Sequence, residues 1–216
     1  MKRELIAVFT AKQKQNSFIG RVCVMSGKNK LACSKETERN IADALKDLMQ
    51  SKAFEKISVS DITDYCGIHR QTFYYHFTDK YELLDFVVHN ELIEPLLLDF
   101  TLDNMYDKFT LMFNVMKSNQ QFYHSAFKIN AGELFNFVSK LASERFIDLF
   151  SELEKNNNIP ARNEDDHKML AEFFGFGISG VVLEWAQNGM KDSPEMLAER
   201  IRIIINDCKK LAIARL

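Results

Sequence analysis

Proline and glycine are scarce in this chain, at 3 and 8 of 216 residues. So few chain breakers exclude a turn-rich all-β fold and favour helices. No apolar run approaches the ~20 residues that a membrane-spanning helix needs. The apolar stretch near the N-terminus, Leu5 to Phe9, is shorter than the roughly 7–15-residue core of a signal peptide. The expectation is a cytoplasmic protein with no membrane partner. The four cysteines (23, 33, 66 and 208) form no C-x-x-C pair, so free thiols in a reducing compartment are expected. The five histidines (69, 76, 89, 124 and 167) make no H-E-x-x-H motif and no Cys/His cluster. No metal site is therefore expected, although a metal sensor whose ligands converge from distant positions stays open. No Ser-His-Asp arrangement is legible, and neither a cofactor nor a catalytic residue is expected.

What the chain does have is a hydrophobic content of 46% and enough length to bury a core. One or two domains follow from the length. The net charge of −2 hides an asymmetry: residues 1–35 hold eight Lys or Arg against a single acid, Glu4. A basic leader on an acidic body fits an arm that touches nucleic acid. It fits equally a flexible leader, because Met25, followed by SGKNK, offers a second start and leaves open whether residues 1–24 are native.

Residues 34–52 place Ile41, Ala44, Leu45, Leu48 and Met49 at helical spacing behind Ser34, a candidate N-cap. Ser58 followed by Asp61 has the form of a capping box with Asp in place of Glu. Gly67 ends that second helix and permits a sharp turn. A short third helix covers 69–76, and Asp79 caps a fourth that carries Leu83, Leu84, Phe86, Val87, Leu92 and Ile93 up to a break at Pro95. Helical patterns continue over 104–117, 119–128, 132–155, 164–188 and 194–214, the last behind Ser193 and Pro194. NNNIPARNE is the clearest loop.

The stretch CGIHRQTFYYHF, residues 66–77, combines rings with hydrogen-bonding side chains. On a helix, Phe73 and Phe77 share one face and suit packing on Leu45, Ile62 and Leu83. Arg70, Gln71 and Tyr74, with Tyr75 beside them, fall elsewhere. A glycine turn between two helices, the second short and polar outside, is a helix-turn-helix.

Residues 57–84, ISVSDITDYCGIHRQTFYYHFTDKYELL, resemble the TetR/AcrR-type regulators. The matching positions are Gly67-Ile68, Thr72-Phe73-Tyr74, Phe77, Lys80 and Leu83-Leu84. His69 replaces the usual capping Ser or Thr, and Gln71 replaces a frequent Gly, so operator sequence is not transferable from relatives. The resemblance implies that Arg70, Gln71 and Tyr75 read bases, Arg suiting guanine and Gln adenine. It implies phosphate contacts from Ser58, Ser60, Thr72, Tyr74, His76 and Lys80. KDLMQSKAFEKISVSDI and RQTFY are further similar to the branch containing the activator of dihydroxyacetone kinase operons. In that branch the C-terminal domain responds through a protein co-activator.

GFGISG, residues 175–180, matches the dinucleotide-binding pattern G-x-G-x-x-G. That motif needs a strand before it, and EDDHKMLAEFF reads as helix. Close helix–helix approach is the preferred explanation, and no enzyme is expected. His124 and Glu184, polar among apolar neighbours, are candidate effector or interface contacts. The whole is an all-α chain: a basic flexible leader (1–33), a helix-turn-helix three-helix bundle (34–80) and a helical effector-binding and dimerisation domain (81–216). The expected partners are a double-stranded DNA operator, a second copy through the last two helices, and an unknown small-molecule or protein effector. A metal-responsive regulator of the same fold, or a protein-interaction module without DNA binding, stands as the alternative.

Overall fold

The structure, a computed structural model, describes residues 27–129, 131–157 and 163–214. Most of the expected basic leader lies outside the described residues, as does Cys23. The chain divides between Glu38 and Arg39 into two units. Of the first, residues 27–38 are helical. Apart from the start of the first helix, everything discussed below belongs to the second.

The first helix, α1, runs Gly27–Leu48, so Ser34 lies inside it and does not cap it. Lys30, Leu31 and Ala32 are good helix formers and Gly27 is the first breaker upstream. A 3₁₀ turn at Phe54–Lys56 leads to α2 (Val59–Cys66), α3 (Arg70–His76) and α4 (Lys80–Val88). Ile41, Leu45, Phe54, Ile57, Ile62, Phe73 and Leu83 are all but fully buried together. This is the miniature core that the spacing of apolar residues predicts, and it closes the three-helix bundle.

The break expected at Pro95 takes a particular form. A π turn, His89–Ile93, joins α4 to the short α5 (Glu94–Leu97). Proline lacks an N–H and its ring crowds the carbonyl one turn back. Widening the turn ahead of it removes that crowding and lets the Glu94 N–H reach the His89 carbonyl, five residues back.

The remaining helices are α6 (Met105–Ser118), α7 (Gln120–Ile129), α8 (Ala131–Asn156), α9 (Glu164–Gln187) and α10 (Pro194–Ala214). Asn163 and Ser193 cap the last two by accepting the N–H of Asp166 and Met196. No strand occurs among the described residues, so the fold is all-α. Helices α8 and α9 pair along their length, α6 lies on α10, and α7 packs on α8 and α9. Their shared core is ring-rich: Phe113 meets Trp185, and Phe146, Phe150 and Phe174 stack on one another within 5.5 Å.

The α8–α9 contact explains GFGISG. A Cβ on Gly175 would stand 2.7 Å from the Ser143 nitrogen and 2.9 Å from the Ser139 carbonyl oxygen. These are backbone atoms of the facing helix and cannot swing aside. Gly177 meets nothing within 4 Å, so only part of the motif serves the close approach.

Helix α9 is long and apolar enough to cross a membrane by length and composition alone. Its apolar residues divide between the core and a face that a single chain leaves open: Met169, Phe173, Phe176 and Val181 are exposed. Helix α10 adds exposed Met196, Ile203 and Ile204. A groove of about 600 Å³ runs between the two helices over Phe173, Val181, Ile201 and Ile204.

Candidate nucleic-acid interface

The helix-turn-helix is held by local devices. The Ser58 hydroxyl accepts the Asp61 N–H at 3.1 Å, and the Asp61 carboxylate accepts the Ser58 N–H at 2.7 Å, closing the capping box. The Lys52 ammonium donates to the same carboxylate at 2.8 Å. Lys52, with the Ser58 donors, holds Asp61 well below the usual carboxylate range. At the other end of α2, Gly67 takes φ 65° and ψ 34°, the left-handed conformation that glycine adopts without a Cβ clash. The chain then enters α3 through His69, whose side chain makes no capping bond.

Helix α3 is two-sided. Phe73 is completely buried and Phe77 nearly so; Phe77 meets the Phe86 ring of α4 edge-on at 5.1 Å. On the outer side Arg70 and Gln71 are exposed, and Tyr74 and Tyr75 are 55% and 67% exposed. Two such rings exposed side by side make this face a candidate binding surface. Thr72 and His76 are half-buried at its margin. The Arg70 guanidinium donates to the Ser60 hydroxyl across the turn, so the arm is parked on the helix that precedes it. Ser58 lies exposed beside that contact.

Lys80, an expected phosphate contact, is engaged within the chain. Its ammonium donates to the carbonyls of Phe54, Glu55 and Ile57 at 2.8, 3.1 and 2.8 Å and sits 4.6 Å from the Phe54 ring centre. All three of its donors are engaged in fastening the start of α4 to the loop between α1 and α2.

His124 and Glu184 are not brought to one site. The His124 Nδ1 donates to the Ala186 carbonyl at 3.0 Å, near the end of α9. Glu184 is exposed in the groove between α9 and α10. A cavity of about 80 Å³ lies elsewhere in this half, between α4, the π turn and α6 to α9. Its wall is apolar apart from Ser179 and Arg145. The Arg145 guanidinium donates to the Phe100 carbonyl and pairs with Asp148, and its Nε has no partner. No group of three His, Cys, Asp or Glu able to hold a metal occurs among the described residues. Cys66 and Cys208 are free thiols.

Sequence reasoning missed Lys52, the carbonyl bonds of Lys80 and a set of bonds around Glu91. The spacing of buried residues on α4 carries a signal for part of this. Leu83, Leu84, Val87 and Val88 repeat at helical intervals, and the next buried pair is Leu92 and Ile93. The stripe skips one position, as an inserted π residue requires.

A small bundle with a glycine turn, a ring-backed third helix and a long helical half define a class of regulator. Residues 41–87 match the family profile "Bacterial regulatory proteins, tetR family", and residues 103–207 match "Transcriptional regulator C-terminal region". The chain belongs to the TetR family of transcriptional regulators and is not an enzyme. Among its relatives is the HTH-type dhaKLM operon transcriptional activator DhaS of Lactococcus lactis subsp. lactis (strain IL1403), 38% identical over 94 residues. That match spans 44% of this chain and half the length of the relative. A solved structure titled "Dihydroxyacetone kinase operon activator DhaS" superposes with a TM-score of 0.67 at 27% identity, covering 81% of this chain and 97% of that one. The similarity to the branch of dihydroxyacetone kinase operon activators therefore stands alongside the family.

Proposed function

We propose that the chain acts in the cytoplasm as a homodimer that binds a near-palindromic DNA operator, with α3 of each copy in successive major grooves. One observation supports this above the rest: a helix pinned from behind by Phe73 and Phe77 presents Arg70, Gln71 and Tyr75 outward. A rod of that kind fits the major groove. Arg70 suits guanine O6 and N7, Gln71 suits adenine N6 and N7, and Tyr75 lies against a thymine methyl or a sugar. Ser58, Ser60, Thr72, Tyr74 and His76 contact phosphates. The bundle 34–80 is the DNA-binding domain and 81–216 the regulatory and dimerisation domain. The open apolar faces of α9 and α10 favour dimerisation through these helices. Control comes from an effector at the C-terminal half, and the cavity favours a small, largely apolar molecule with one acceptor for the Arg145 Nε.

A gel-shift titration against DNA from upstream of the chain's own gene tests this reading. Arg70→Ala and Gln71→Ala are each expected to cost about 1–3 kcal/mol of specific binding and to leave the melting temperature unchanged. A protein that shifts no DNA at low salt is instead a protein-interaction module.

A further inference from the structure

Three elements that the fold assigns to different tasks meet at one carboxylate. Lys46 lies on α1 of the bundle, Glu91 in the π turn, and Tyr123 on α7 of the C-terminal half. The Tyr123 hydroxyl donates to Glu91 Oε2 at 2.6 Å, and the Lys46 ammonium donates to Glu91 Oε1. Asp43 accepts from the same ammonium at 2.9 Å. The site is shielded: the Tyr123 residue is fully buried, and the Lys46 side chain is 15% exposed. Bonds to ionised groups in such surroundings are stronger than exposed ones. A second tie crosses the same seam, from the Gln121 amide to the Gln50 carbonyl at 2.8 Å.

The same two segments line the cavity. Leu92 and Ile93, next in sequence to Glu91, form part of its wall, and so does Phe127, one helical turn after Tyr123. A molecule that fills the cavity therefore presses on the neighbours of both Glu91 and Tyr123. The π turn, widened ahead of Pro95, holds Glu91 between the cavity wall and the bundle. A signal between two sites passes through packed and hydrogen-bonded groups whose arrangement both sites bias.

We propose that Glu91 is the positioning residue through which occupancy of the apolar cavity reaches the DNA-binding bundle, by tying Tyr123 on α7 to Lys46 on α1. This rests on the reading of the cavity as an effector site and of the bundle as the DNA-binding part. A filled cavity shifts the π turn and α7, the Tyr123–Glu91–Lys46 chain follows, and α1 is reoriented together with the helices packed on it.

The test fills the cavity without knowing the effector. Ala142 lines it, and Ala142→Phe occupies it from within. Amide exchange over residues 41–49 is measured for the full chain, for Ala142→Phe, for Tyr123→Phe and for the double variant. Ala142→Phe is expected to change protection in that segment by about fivefold or more in the native background, and by less than about twofold when Tyr123→Phe has cut the chain. Equal changes in both backgrounds, or none in the native one, overturn the proposal. If Ala142→Phe fails to fold, xenon under pressure serves as the probe, because dry apolar cavities take it up. Glu91→Gln, which keeps size and loses the charge, is expected to blunt the response as well. Gel shifts with the same four proteins are read separately. A native chain that binds no DNA ends the DNA-binding reading, while the exchange data still decide the fate of the Glu91 link.

Discussion

The outer side of α3 and the outer sides of α9 and α10 are both left open by a single chain, and they are open in opposite ways. Tyr75 is 67% exposed beside Arg70 and Gln71, so ring surface and hydrogen-bonding groups share one short rod. Phe173 is 72% exposed among Met169, Phe176 and Ile204, beside a groove lined mostly by apolar side chains. The first surface offers polar groups at fixed spacing and suits an ordered lattice of donors, acceptors and phosphates. The second offers area and little direction, and suits another hydrophobic surface of the same shape. Solvent exposure of aromatic rings thus carries no single meaning; the chemistry interleaved with the rings separates the two cases.

The contrast can be broken in several places. The largest effect is expected from Phe73→Ala. It removes the buried anchor behind α3 and should cost about 3–5 kcal/mol, seen as loss of cooperative unfolding in the bundle by chemical denaturation. Unchanged stability would show that α3 does not depend on its buried side. Phe173→Asp combined with Ile204→Asp places two charges on the apolar side. If the proposed dimer forms through this side, sedimentation should find the native chain as a dimer and the variant as a monomer, with circular dichroism unaltered; an intact dimer would move the interface elsewhere. Gly175→Ala forces a methyl against the Ser143 and Ser139 backbone and should cost about 1–3 kcal/mol, read as a lower denaturant midpoint. Stability equal to the native protein would mean that α8 and α9 separate freely.

The smallest effect concerns alkaline pH. Burial, then the bond to Glu91, push the Tyr123 hydroxyl far above its ordinary value. A group whose folded pKa is raised contributes stability that is complete below its unfolded value, about 10 for tyrosine, and is lost as pH rises beyond it. Melting temperature should therefore fall more steeply above about pH 10 in the native protein than in Tyr123→Phe. Parallel curves would show that Tyr123 does not titrate with folding.

The bundle was legible because its determinants are local. Ser58 and Asp61 are three residues apart, Phe73 and Phe77 four, and Gly67 announces a turn by itself. The helices of the C-terminal half were also readable from periodicity; in the bundle, the seven-residue extension of α1 ahead of Ser34 was not. What stayed hidden was set by contacts between residues remote in sequence. Lys80 meets carbonyls more than 20 residues away, and Glu91 is 45 residues from Lys46 and 32 from Tyr123. No window of sequence holds such pairs. For His124 and Glu184 the setting stayed open, because a polar residue among apolar ones reads the same whether it faces a cavity, a helix end or a groove.

The Lys80 fastening has a mechanical consequence. A helix joined to its neighbour only through apolar side chains can slide by a fraction of an ångström before anything resists. Three short bonds from one ammonium remove that play at the root of α4. Any movement of that root has to carry the loop between α1 and α2 with it.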